Sequence, residues 1–174
     1  MACICGLLIL RDDMTAELAE LVDDLVGIPD DTVVYRRVDW DRVGGISRCL
    51  VGGTPSLNGN CFADYPVSKA REYGLADACT SVAVGAALNA SGIHTSSLLD
   101  QYPGYGLARL RVAELRVLKR GNGTACPQGI MLFPTDDEPW HGVVFDITDR
   151  PRKGAVQKAI ARIAEWEVPL VRTL

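Results

Sequence analysis

The sequence predicts an α+β fold: one domain over residues 1–174, with a mixed, mostly antiparallel sheet and two to four helices. Three observations carry that expectation. Leu107-Ala108-Arg109-Leu110-Arg111 alternates apolar and polar side chains, the period of a half-buried strand. Two later apolar segments flank a short acidic turn, as in a hairpin, which favours antiparallel pairing over a doubly wound parallel sheet. At 174 residues, 48% of them hydrophobic, the chain suits one core and not two.

The elements follow in order. Residues 2–10 read as a buried strand. Residues 14–26 read as a helix, because Leu18, Leu21, Val22 and Leu25 recur at i, i+3, i+4 and i+7. Asp13 can cap its start, Gly27 suits its left-handed end, and Pro29 prevents continuation. Residues 32–38, Thr-Val-Val-Tyr-Arg-Arg-Val, form a strand by β-propensity. Residues 42–60, with five glycines and Pro55, form a long loop that holds a short strand over 47–51. Pro66 in a first turn and Gly74 beyond the end frame a short helix over 66–73. Residues 78–88 are small and apolar, and their alanines favour helix over strand. Tyr102-Pro103-Gly104 is a turn. Strands follow at 106–111, 128–133 and 141–147, the last two joined by the acidic turn 134–140. Residues 155–167 form an amphipathic helix with Val156, Ala159, Ile160 and Ile163 on one face. Pro169 closes it, and residues 168–171 add an edge strand or pack as a tail.

A net charge of −4 argues against broad nucleic-acid binding, which needs a basic face. The cluster Arg109, Arg111, Arg116, Lys119 and Arg120 reads as a solvated edge. No apolar run approaches the ~20 residues of a membrane-spanning helix. The longest, residues 2–10, lacks a basic segment before it and meets Arg11, Asp12 and Asp13 directly, so it reads as a strand and not a secretion signal. A cytoplasmic location follows, and the six cysteines (3, 5, 49, 61, 79 and 126) are expected as reduced thiols. Cys3 and Cys5 have no second pair at ligand spacing, and no motif calls for a resident metal or cofactor.

Two constellations carry chemistry. The first joins Cys61 to His141. Cys61 follows a flexible loop and precedes a helix, whose dipole favours a thiolate. His141 opens a strand and suits a general base, with Asp64 sharing acid–base work. Asp146 is an odd number of residues from His141 and faces the other side of the strand, so Asp149 is the expected orienting carboxylate. Gly59-Asn60-Cys61-Phe62 is similar to the nucleophile turn of ovarian-tumour-type cysteine peptidases, with Asn58 where an aspartate normally stands. His141-Gly142-Val143-Val144 resembles the histidine strand of papain-like folds. These resemblances imply Cys61 as nucleophile and His141 as base.

The second constellation is Tyr35, Arg36 and Arg37 on the early strand, with Phe62, Ser81 and a distant glutamate, Glu165 or Glu114. It resembles NAD-using ADP-ribosyltransferases and their RES-domain relatives, which combine a strand arginine, a serine or tyrosine, and a glutamate. The resemblance implies a ligand site at Tyr35, Arg36, Arg37 and Ser81 whose arginine binds the phosphates of NAD. Pairing His94 with Asp100, or His141 with Asp136, Asp137 and Glu138, gives too few histidines for a catalytic metal centre, and the acidic turn reads as solvated. The glycine-rich loop lacks both dinucleotide and P-loop spacing.

The order Tyr35-Arg36-Arg37-Val38, Cys61-Phe62-Ala63-Asp64, Thr80-Ser81-Val82, residues 103–110 (Pro-Gly-Tyr-Gly-Leu-Ala-Arg-Leu), Glu138-Pro139-Trp140-His141 and Glu165-Trp166 resembles a group of short bacterial proteins. The resemblance covers residues 32–168. It implies a bacterial source, a stand-alone domain, and a greater weight on His141 than on Cys61; it supplies no reaction. Two functions are therefore expected. The first is a binding or interaction protein in a multi-protein system, whose partner is another protein or a second copy of itself, away from any membrane. The second is an enzyme, a hydrolase or transferase, with a pocket between the 44–64 loop and the 134–141 turn. Arg36 or Arg37 would hold an anion there, beside Asp64, His141 and Cys61.

Overall fold

The computed structural model describes residues 28–46, 49–63, 71, 75, 79–146 and 154–172. The strand and helix expected at 2–10 and 14–26, and the helix expected at 66–73, lie outside these residues or are described only at Arg71.

Among the described residues, six strands form one antiparallel sheet: β1 (Val33–Val38), β2 (Cys79–Val84), β3 (Gly106–Arg111), β4 (Gln128–Leu132), β5 (His141–Asp146) and β6 (Glu165–Val168). Their order is β4-β5-β2-β1-β3-β6. The described residues add three α-helices: α1 (Gly85–Ala90), α2 (Val112–Arg116) and α3 (Gly154–Ile163). The fold is α+β, as the sequence predicts.

Strand alternation sorts the side chains onto two faces. Val34, Val38, Val82, Val84, Leu110, Ile130 and Val144 join Val156, Ala159 and Ile160 of α3 in the main core. Cys61 and Phe62, on the 3-10 turn Gly59–Phe62, pack into the same core and are fully buried. The opposite face carries Tyr35, Ala83 and Leu107, covered by Leu88 of α1 and Leu98 of the 3-10 turn Thr95–Leu99. Farther along that face, Cys79, Val143 and Phe145 cluster with Leu75 and Met131. Gly129 lies under the Phe145 ring, where a Cβ would come within 2.5 Å of its Cζ.

Three local expectations are corrected. Residues 78–88 do not form one helix. Thr80, Val82 and Val84 put β-branched side chains at alternate positions, which favours a strand, and only from Gly85 does the alanine-rich stretch turn helical. The late helix stops at Ile163, not 167. Glu165-Trp166-Glu167-Val168 alternates with period two and pairs with β3, and Pro169 holds Val168 extended. The strand expected within 47–51 is absent among its described residues; Cys49 to Val51 form a bend and turn, tied down where Arg172 donates to the Cys49 carbonyl at 2.8 Å.

Two of the five basic residues from 109 to 120 are held in ion pairs. Arg109 donates to Glu165 and Glu167 across the β3–β6 edge. Arg116 pairs with Asp30 and donates to the Ile28 carbonyl at 2.8 Å. No helix among the described residues is long and apolar enough to cross a membrane. Cys49, Cys61, Cys79 and Cys126 are buried and not joined in disulfides.

Candidate functional site

The site begins where two strands part. β1 pairs with β3 along all six residues, from Val33↔Arg111 to Val38↔Gly106, but with β2 only at Val34↔Val84 and Tyr35↔Ala83. Beyond that point the Arg36 side chain fills the opening. Its Nη1 donates to the Ser81 carbonyl at 2.8 Å and its Nε to the Cys61 carbonyl at 3.4 Å. A guanidinium thus replaces the missing ladder bonds, and Arg36 stays 7% exposed. Its position on β1 sends it to the core side, and the next residue, Arg37, to the other face.

A cavity of about 230 Å³ lies at this parting. Its charged lining is Arg36, Arg37 and Arg42 against Asp39 and Glu138. Three cations against two anions give a locally positive site in a chain of net charge −4. Ser81 forms part of the lining, and Tyr35, Tyr102, Tyr105 and Trp140 supply aromatic walls. Arg37 Nη2 donates to Glu138 Oε1 at 2.9 Å, and the guanidinium carbon sits 4.1 Å from the centre of the Tyr102 ring. One hydrogen bond to Glu138 uses one of the five N–H donors of a guanidinium. Tyr102 meets Tyr105 edge to face at 5.5 Å across a turn in which Gly104 has φ +82°, a left-handed conformation suited to glycine. A wider groove of about 730 Å³ lies beyond the same wall and shares Arg37, Tyr102, Glu138 and Trp140 with the cavity.

His141 stands behind Ser81. The two side chains share a face of adjacent strands, with Ser81 opposite Val143 and His141 opposite Ala83. His141 Nε2 is 3.1 Å from Ser81 Oγ, and Nδ1 is 2.9 Å from the Phe133 carbonyl oxygen. A carbonyl only accepts, so Nδ1 carries the proton in the neutral ring, and Nε2 accepts from the Ser81 hydroxyl.

Cys61 and His141 are not brought together. The Cys61 thiol lies on the core side, accepting from the Asn58 amide at 3.4 Å and facing the Arg42 carbonyl at 3.9 Å. Burial pushes its pKa above the ordinary thiol range, against the lowering by the Asn58 amide, Arg42 and Arg36. That is the reverse of what an activated nucleophile needs. Asp64 and Asp149 lie outside the described residues. The enzyme reading expected a pocket between the 44–64 loop and the 134–141 turn. Glu138 and Trp140 line the cavity, but the described residues of 44–64 do not.

Of the second constellation, Tyr35, Arg36, Arg37 and Ser81 all reach the cavity, while Phe62 is buried in the core. The glutamate that joins them is Glu138. Glu165 sits on the outer edge bonded to Arg109, and Glu114 is exposed on α2. Arg42, Tyr102, Tyr105 and Trp140 were not legible as site residues. The sequence signals for Glu138 are its place in an acidic turn directly before a strand and in the Glu138-Pro139-Trp140-His141 step, and neither marks it as the partner of Arg37.

No protein-family model, curated protein or solved structure matches this chain. The site therefore rests on its own geometry.

Proposed function

We propose that the protein binds NAD in this cavity and breaks the bond between nicotinamide and ribose, in the manner of an ADP-ribosyltransferase. The observation that carries this reading is the meeting of a strand arginine, a serine and a glutamate in one cavity, with Arg37 and Glu138 2.9 Å apart.

The residues suit the parts of that substrate. A positive lining favours a diphosphate, and the guanidinium forks of Arg37 and Arg42 match phosphate oxygens. Tyr102, Tyr105 and Trp140 offer flat apolar surface to a nicotinamide ring. The volume of about 230 Å³ lies below the ~300–1,000 Å³ of drug-sized sites. It suits the nicotinamide–ribose end and leaves the rest of the dinucleotide toward the opening.

Cleavage of a glycosidic bond places positive charge on the anomeric carbon as the leaving group departs. Glu138 supplies a fixed negative charge against that development. Arg37 holds the Glu138 carboxylate in one orientation, and Tyr102 holds Arg37 from its face. Ser81 presents its oxygen to a ribose hydroxyl. Glu138 lines both the cavity and the wider groove, which supports attack by an acceptor entering from the groove, water included.

The test is incubation of the purified protein with NAD and chromatography of free nicotinamide. Wild type is expected to release it, and Glu138→Gln and Arg37→Ala are expected to lose most of that release. Wild type that neither releases nicotinamide nor gains thermal stability from NAD refutes the proposal. Binding without release refutes the cleavage step and leaves a protein that binds NAD without breaking it.

A further inference from the structure

We infer that His141 is a positioning residue that makes Ser81 a hydrogen-bond acceptor toward the substrate. The inference rests on the proposed NAD site. It adds a histidine that the arginine–serine–glutamate set does not include.

The Phe133 carbonyl, 2.9 Å from Nδ1, fixes the tautomer of the neutral ring. Nε2 then offers a lone pair 3.1 Å from Ser81 Oγ. The serine proton is directed backward into this bond, away from the cavity. A hydroxyl has one proton and two acceptor sites, so the face Ser81 turns to the cavity carries lone pairs. The substrate group that meets Ser81 must therefore be a donor, such as a ribose hydroxyl or a carboxamide N–H. A group with acceptors alone would face two sets of lone pairs. His141 is 6% exposed and does not itself line the cavity, so its effect passes through the serine.

Replacing His141 by Leu frees the hydroxyl to rotate and to donate into the cavity. His141→Gln keeps an acceptor near the position of Nε2. The experiment measures kcat and KM for nicotinamide release from NAD in His141→Leu, His141→Gln, Ser81→Ala and the double variant Ser81→Ala/His141→Leu. Thermal unfolding of each variant checks that it is folded. Loss of one substrate hydrogen bond corresponds to about a tenfold change. His141→Leu and Ser81→Ala are each expected to raise KM about tenfold with kcat little changed, and His141→Gln to restore most of the loss. In the Ser81→Ala background the His141→Leu change is expected to add nothing, because the residue through which it acts is gone. A His141→Leu effect of the same size in both backgrounds, or Leu and Gln variants that behave alike, overturns the inference.

A second measurement separates this claim from the NAD reading. Imidazole nitrogen NMR on wild type is expected to show a ring protonated at Nδ1 in its neutral form, with an Nε2 resonance that moves in Ser81→Ala. If no variant releases nicotinamide but this signature is present, the NAD reading fails and the pair stands. An Nε2-protonated neutral ring sinks the pair whatever the activity.

Discussion

Glu138→Gln is the substitution from which most can be learned. The change removes one negative charge and keeps the shape and an acceptor oxygen for Arg37. A carboxylate about 4 Å from a developing unit charge contributes about 4 kcal/mol at an effective dielectric of ~20. Glu138 is 28% exposed and already paired with Arg37, so part of that field is screened or spent. A loss of about 3–4 kcal/mol is the expectation, which is about 10²- to 10³-fold in kcat. Stability should hardly change. A pair whose side chains are 27% and 28% exposed contributes about 0.5–1 kcal/mol, equivalent to a few degrees in Tm. The assay is initial-rate nicotinamide release at saturating NAD, alongside thermal unfolding. A kcat within tenfold of wild type, with the protein folded, refutes Glu138 as the charge that opposes the transition state.

Three further outcomes are expected. Arg37→Ala removes both a phosphate partner and the contact with Tyr102, and should weaken NAD binding by about 10- to 100-fold in calorimetry, the range of one charge-assisted hydrogen bond. Cys61→Ala should leave nicotinamide release unchanged and flatten the alkaline loss of stability. The folded thiol titrates above its ordinary value of 9.0, so its stabilisation is complete below that pH and lost as pH rises toward the folded value. Urea unfolding of both proteins between pH 8 and 10 reads the difference. Phe62→Ala should cost about 3–5 kcal/mol in the same unfolding assay, because the ring is fully buried between the sheet and α3.

The antiparallel sheet was legible because its signals are local. Alternation marked β3, β-propensity marked β1, and the acidic turn between two apolar runs marked β4 and β5. The strand–helix junction at Gly85 was not, because alanine content averaged over 78–88 concealed the alternating β-branched residues of β2. The site was half legible. Tyr35, Arg36, Arg37 and Ser81 belong to strands whose faces a sequence can assign. The sequence pattern points to Glu165 or Glu114 as their glutamate, whereas the pairing of β2 with β5 brings the turn before β5, with Glu138, near Ser81. Sequence spacing carries no record of that long-range pairing. The sequence pairs His141 with Cys61; strand parity places it with Ser81 and leaves the thiol on the other side of the sheet.

The central claim is that NAD seats its reacting end against Glu138 and Ser81. A crystal structure of Glu138→Gln with NAD tests it most directly, because the slowed variant retains the uncleaved dinucleotide. The account requires the nicotinamide among Tyr102, Tyr105 and Trp140, the anomeric carbon facing residue 138, and a ribose or carboxamide donor on Ser81 Oγ. NAD bound on another surface, or an empty cavity at saturating NAD, contradicts it.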